Sequence, residues 1–152
     1  MDRIKLTLPT EFIFETSLKI RITDLNYGGH VGNHNFLSLI HEARQEFLYS
    51  LNYSELNIEG IGLIMADVAI EFKKELNYND FVIISVTATS FDKLGFDIYY
   101  TLELQNEDNS RTLAGKAKTG MICFDYKNRI KCQVPEKFIE KINSITNSKF
   151  PN

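Results

Sequence analysis

"ITDLNYGGHVGNHNF", residues 22–36, runs straight into "LSLIHEARQEFLYSLNY", residues 37–53. The second part has helical periodicity. At about 100° per residue, Phe36, Ile40, Ala43, Phe47 and Leu51 share one side of a helical wheel, flanked by Leu37, Leu39 and Leu48. Asn33 or Asn35 can cap the start, because a short side-chain oxygen satisfies a free first-turn amide. A helix of about 19 residues is roughly 28 Å long. Upstream, "FIFETSLKIRITDL" (12–25) is rich in Ile, Phe and Thr and alternates imperfectly, as a strand does. The polar, glycine-rich stretch is therefore a strand-to-helix junction.

Beyond residue 60 the pattern turns to strands. "IGLIMADVAIEF" (61–72) is almost continuously apolar, which predicts a strand covered on both faces. "FVIISVTATSF" (81–91) is rich in β-branched residues. "FDIYYTLEL" (96–104) puts Phe96, Ile98, Tyr100, Leu102 and Leu104 on one side. "TLAGKAKTGMICF" (112–124) puts Leu113, Gly115, Ala117, Thr119 and Met121 on one face, with Lys116 and Lys118 opposite. The connections "LNYND", "DKLG" and "QNEDNS" are short and turn-forming, so these strands are expected to be antiparallel neighbours. "VPEKFIEKIN" (134–143) predicts a short helix from about Pro135. One long helix and about five strands give an α+β fold. Strands of eight to ten residues span roughly 27–33 Å, the length of the helix, so a curved antiparallel sheet can wrap it. The apolar central strands predict that a second subunit covers the sheet's outer face.

Bulk properties bound the setting. The 152 residues suffice for a single domain, 1–152, with one substantial core. A net charge of −3 offers no general attraction to nucleic acid. No apolar run approaches the roughly 20 residues that span a bilayer, and the start, "MDRIKLTLPTEF", lacks a signal-peptide core. Cys123 and Cys132 have no metal-ligand spacing and read as reduced thiols of a cytoplasmic protein.

The junction, Asp24-Leu25-Asn26-Tyr27-Gly28-Gly29-His30-Val31-Gly32-Asn33, with Glu42-Ala43-Arg44 in the helix, resembles the hot-dog-fold thioesterases of the 4-hydroxybenzoyl-CoA thioesterase type. The resemblance covers about residues 12 to 130. It implies a hydrolase, an acyl-CoA thioesterase without metal or organic cofactor, forming a homodimer or homotetramer with its site at the subunit boundary. It departs at one position: the family's usual catalytic Asp is Asn26 here. An amide cannot act as a carboxylate base or nucleophile, but it can position water or the substrate carbonyl. That departure keeps a second reading open, a non-catalytic acyl-thioester binder or a structural protein of the same fold.

Thioester hydrolysis needs a group that activates water and donors for the oxyanion. The backbone amides of Gly29, His30 and Val31 precede a helix N-terminus, where developing negative charge is favoured. Gly28 and Gly29 allow close approach to the backbone. Tyr27 and Asn33 complete the candidate substrate-binding residues. His30 is a candidate base or positioner. Asp24 is a candidate to orient it, or ends the strand in an Asx turn. Glu42 lies on the helix's polar arc, a solvated face or a catalytic carboxylate. Asp67 in an apolar strand and Arg44 in the apolar arc are both unusual. A buried Arg44–carboxylate pair explains them structurally, and a carboxylate reaching the partner's site is the functional reading of Asp67. His34 and His41 read as surface or interface residues. Lys73, Lys74, Lys116 and Lys118 are candidate contacts for CoA phosphates or solubilising lysines at sheet edges.

Overall fold

In the computed structural model, which describes residues 1–152, the long helix α1 spans Asn33–Ser50. Its inward face carries Phe36, Leu39, Ile40, Ala43, Arg44, Phe47 and Leu48. Burying each large apolar side chain contributes about 1.5–3 kcal/mol before chain entropy is counted. The N-cap is Gly32 rather than an asparagine, and no side chain caps the first turn. Asn35 instead turns its amide back to the carbonyl of Asp24.

The sheet comprises β1 (Phe14–Lys19), β2 (Gly62–Phe72), β3 (Phe81–Thr89), β4 (Gly95–Gln105), β5 (Arg111–Asp125) and the two-residue β6 (Ile130–Lys131). All pairings are antiparallel, in the order β1-β3-β4-β5-β2 with β6 added to β5. Val82, Ile84 and Val86 of β3 and Phe96, Ile98, Tyr100 and Leu102 of β4 point inward to α1 and are buried. The α+β architecture is thus a curved antiparallel sheet wrapped on one long helix.

Four further features differ from the sequence expectation. The first strand ends at Lys19, and Ile22–Asp24 form a 3-10 turn. The terminal helix α2 is longer than expected, Glu136–Lys149, because Phe138 and Ile142 are buried and anchor it. The Phe138 ring packs on Tyr53, Phe91 and Phe96. "LNYND" is not a hairpin turn: β2 pairs with β5 and β3 with β1, so residues 73–80 connect distant strands past the start of α1. Finally, the outer face is polar rather than apolar. Arg111 grips Glu15 there at 2.9 and 3.1 Å, and Lys118 lies between Asp67 and Asp97. The uncovered apolar surface lies along the edge strand β2, at Met65, Val68 and Phe72. No helix is long and apolar enough to cross a membrane.

Candidate active site

The junction is a tight polar turn. The Asn26 amide donates to the His30 carbonyl at 2.8 Å, and Gly29 N–H donates to the Asn26 carbonyl at 3.1 Å. Asn26 Oδ1 accepts from Gly28 N–H at 2.8 Å, an Asx turn that leaves the Nδ2 group unbonded. Gly29 takes a left-handed φ of 82°, which glycine adopts without steric cost. A Cβ on Gly28 would sit 3.1 Å from Asn26 Oδ1 and 3.3 Å from His30 Nε2. The missing side chain keeps open the space that these two groups border.

Residues 73–80 complete the arrangement. Val31 N–H donates to the Leu76 carbonyl at 2.9 Å, and His30 bridges to Asn77. This docking brings Glu75 Oε1 to 3.6 Å from His30 Nε2, within ion-pair range once the ring is protonated but longer than a hydrogen bond. A groove of about 320 Å³ lies here. Val31, Phe36 and Phe72 form its apolar floor, and His30, Asn33, Lys73, Lys74 and Glu75 its polar rim. Sequence reasoning missed Glu75. Its approach to His30 depends on a crossing that a local pattern rich in Asn and Asp disguises as a hairpin.

Of the amides expected to face an oxyanion, those of Gly29 and Val31 are bonded within the protein. The N–H groups of His30, Asn33 and His34 have no protein acceptor. The last two belong to the first turn of α1, where the helix dipole favours negative charge.

Other candidates lie elsewhere. Asp24 is buried, but its carboxylate accepts from Arg21 N–H at 2.7 Å and faces the Arg21 guanidinium at 3.5 Å. It therefore does not orient His30, while its carbonyl accepts from Gly32 N–H and the Asn35 amide and so shapes the turn. Glu42 is exposed and, with Asp24, Arg21 and Ser38, lines a separate cavity of about 400 Å³. Tyr27 is fully exposed. Asp67 lies on the outer face, bonded to Lys118 Nζ at 2.9 Å and Gly120 N–H at 3.0 Å, and the Lys118 bond holds its carboxyl below the usual range. The expected pairing of Arg44 with Asp67 is corrected: Arg44 Nε donates to Glu55, and its Nη1 lies 3.3 Å from the Tyr100 hydroxyl. Lys73 and Lys74 border the groove, whereas Lys116 and Lys118 sit on the outer face of β5.

A family model described as the thioesterase-like superfamily matches residues 20–142. No curated protein matches. Among solved structures, a 1,4-dihydroxy-2-naphthoyl-CoA thioesterase from Synechocystis is similar at TM-score 0.75 and 23% identity, over 86% of this chain and 95% of that one. An aspartate-to-asparagine mutant of 4-hydroxybenzoyl CoA thioesterase, complexed with 4-hydroxybenzoyl CoA, is similar at TM-score 0.76 and 15% identity, over 85% and 97%. A hypothetical protein from Staphylococcus aureus in complex with CoA is similar at TM-score 0.77 and 18% identity, over 93% and 89%.

Proposed function

The chain belongs to the thioesterase-like superfamily, and we propose that it hydrolyses an acyl-CoA thioester to the free acid and CoA in the groove between the junction and residues 73–75. One observation carries the choice of groove: His30 and Glu75, whose ring and carboxylate lie 3.6 Å apart, line it together with Asn33, and the backbone amides of His30 and Asn33 are unbonded. The CoA ligands of the similar structures support the choice of substrate.

The thioester oxygen accepts hydrogen bonds from the first-turn amides of α1 and from Asn26 Nδ2. As the carbonyl becomes tetrahedral its oxygen gains charge, and these fixed donors stabilise the transition state more than the ground state. Asn26 replaces the family's carboxylate, so the base is His30. Its neutral ring takes a proton from the attacking water. The C–S bond then breaks, and the ring returns the proton to the departing sulfur. Glu75 favours the transient imidazolium by its charge. Lys73 and Lys74, on the rim, meet the phosphates of CoA. No metal or organic cofactor enters this scheme. Reduced Cys123 and Cys132 fit a cytoplasmic setting.

The assembly in this reading is a homodimer. An apolar edge strand with free backbone groups invites pairing, and the β2 edge of a second copy supplies matching groups. Pairing of dimers into a homotetramer is compatible with it. A binding protein without hydrolysis is the second reading, favoured by the Asx turn that occupies Asn26 Oδ1.

The test is release of CoA thiol from acyl-CoAs of graded length and aromaticity. Turnover with at least one of them is expected. Saturable binding with no thiol release from folded protein would overturn hydrolysis in favour of the binder.

A further inference from the structure

The groove is polarised. Lys73 and Lys74 stand on its rim, and Val31, Phe36 and Phe72 close its apolar floor. Phe36 belongs to the first turns of α1 and is only 3% exposed. Its ring meets the Phe72 ring edge-on, with centroids 5.0 Å apart and planes at 83°. Its other side lies against β5 at Gly115, where a Cβ would stand 3.3 Å from Phe36 Cε1 and 3.2 Å from the Glu71 carbonyl oxygen. Gly115 is in register with Phe72, the last residue of β2, and with Leu102 on β4. The glycine gives the ring its seat. The core beside the ring is filled: Leu102, in register with Gly115, Ala117, two residues along β5, and Ile40, one turn along α1, are fully buried.

We infer that Phe36, seated on Gly115, sets the length of acyl group that the groove accepts. This rests on the thioesterase reading of the same groove. With CoA phosphates held at the lysine rim and the thioester beside His30, the acyl group points to the floor. It meets an aromatic plug rather than a channel between helix and sheet. Short or compact acyl groups fit against Phe36 and Phe72, and long chains do not. A smaller side chain at 36 leaves a void on Gly115, directly in line with the floor. Phe72, half exposed at the open side of that floor, adds contact area but not the stop.

Two readouts test this on the full chain: kcat/KM for acyl-CoAs of graded chain length, and Kd for thioether analogues of the same lengths, which cannot be hydrolysed. The wild type is expected to cut off at a short chain. Phe36→Val should extend the cut-off by about two methylenes, with a gain of about fourfold per methylene newly buried. Phe72→Ala should weaken all lengths alike and leave the cut-off in place. Because Phe36 is core, Phe36→Leu is the companion if Phe36→Val fails to fold, with an extension of about one methylene. An unchanged cut-off in folded Phe36→Val or Phe36→Leu, by both readouts, overturns the inference and leaves hydrolysis standing. A Phe36-dependent cut-off in analogue binding without thiol release upholds the inference and overturns hydrolysis. No binding of any analogue together with no thiol release from any acyl-CoA overturns both.

Discussion

Two polar clusters lie along α1. Under the middle of the helix, Arg44 reaches the sheet: Nε donates to Glu55, and Nη1 lies 3.3 Å from the Tyr100 hydroxyl, itself 2.9 Å from the Thr119 hydroxyl. At the start of the helix, His30 and Glu75 border a groove and Asn26 lies in the turn beside them, with one amide nitrogen and three backbone N–H groups unbonded. The first cluster is closed. Burial opposes the Arg44 charge, but Tyr100 and Glu55 outweigh it and hold the guanidinium charged. Burial also pushes the Tyr100 phenol up. No buried side-chain nitrogen or oxygen lacks a partner. The second cluster is open, and its free donors have no protein acceptor. A satisfied network fixes helix on sheet, whereas chemistry needs groups whose partners arrive with the substrate.

The largest expected effect falls on the closed cluster. Arg44→Ala takes from Glu55 its guanidinium partner and leaves the Tyr100 hydroxyl only Thr119, and breaking a largely buried pair costs about 3–5 kcal/mol. Urea unfolding should show that loss, while thiol release per folded molecule stays near wild type. Unchanged stability, or turnover lost from molecules that remain folded, would erase the distinction between the clusters.

Asn26→Ala should do the reverse. Loss of one oxyanion donor lowers turnover by about 10²–10³-fold, or about 2.7–4 kcal/mol. The side chain is only half-buried and leaves no apolar cavity, so the unfolding free energy should move by less than about 1 kcal/mol. Asn26→Asp restores the family's usual carboxylate and should raise hydrolysis. Equal rates in wild type and folded Asn26→Ala would strip the position of a chemical role.

His30→Gln comes next, with a fall of about 10²-fold in kcat/KM. The wild-type rate should decline toward acid as the ring is protonated, and the variant should lack that decline. The charged groups near the ring are Glu75, Lys73 and Lys74. An acidic decline that persists unaltered in His30→Gln would remove His30 as the base.

The closed cluster and the open one were unequally legible in the sequence. The helix face from Phe36 to Leu51 follows from a 3.6-residue period, and β4 from strict alternation. Both are local signals. The junction showed through its glycines and asparagines for the same reason. The partners did not. Glu55 follows Arg44 by eleven residues and Asp67 by twenty-three, and composition cannot choose between them; strand register does, by sending Asp67 to the outer face. Glu75 reaches His30 only because β2 and β3 lie apart in the sheet, a non-local fact that the turn-like "LNYND" concealed. The polar outer face was hidden too, since an edge strand rich in apolar residues reads like a central one.

The smallest effect is expected at Asp67, in a third cluster on the outer face. Lys118 lies 2.9 Å from Asp67 and 3.2 Å from Asp97, with the Asp67 side chain 62% exposed. The Lys118 hydrogen bond holds the Asp67 carboxyl below its usual value, and that same bond raises Lys118. The signs follow from linkage. A depressed carboxyl adds stability that is present above its unfolded value and is lost as pH falls through the folded one. A raised lysine adds stability that is present below its unfolded value and is lost as pH rises through the folded one. The pair therefore contributes across the neutral range and fades in acid and in strong alkali. Exposure and salt screening keep its worth within about 1 kcal/mol. Asp67→Asn should lower the unfolding free energy by no more than that near neutrality. The gap should close below the carboxylate range and shrink in high salt, with thiol release unchanged. A tenfold or greater loss of rate in a fully stable Asp67→Asn protein would mean that this carboxylate serves the partner subunit's groove, and the outer face would then belong with the open cluster rather than the closed one.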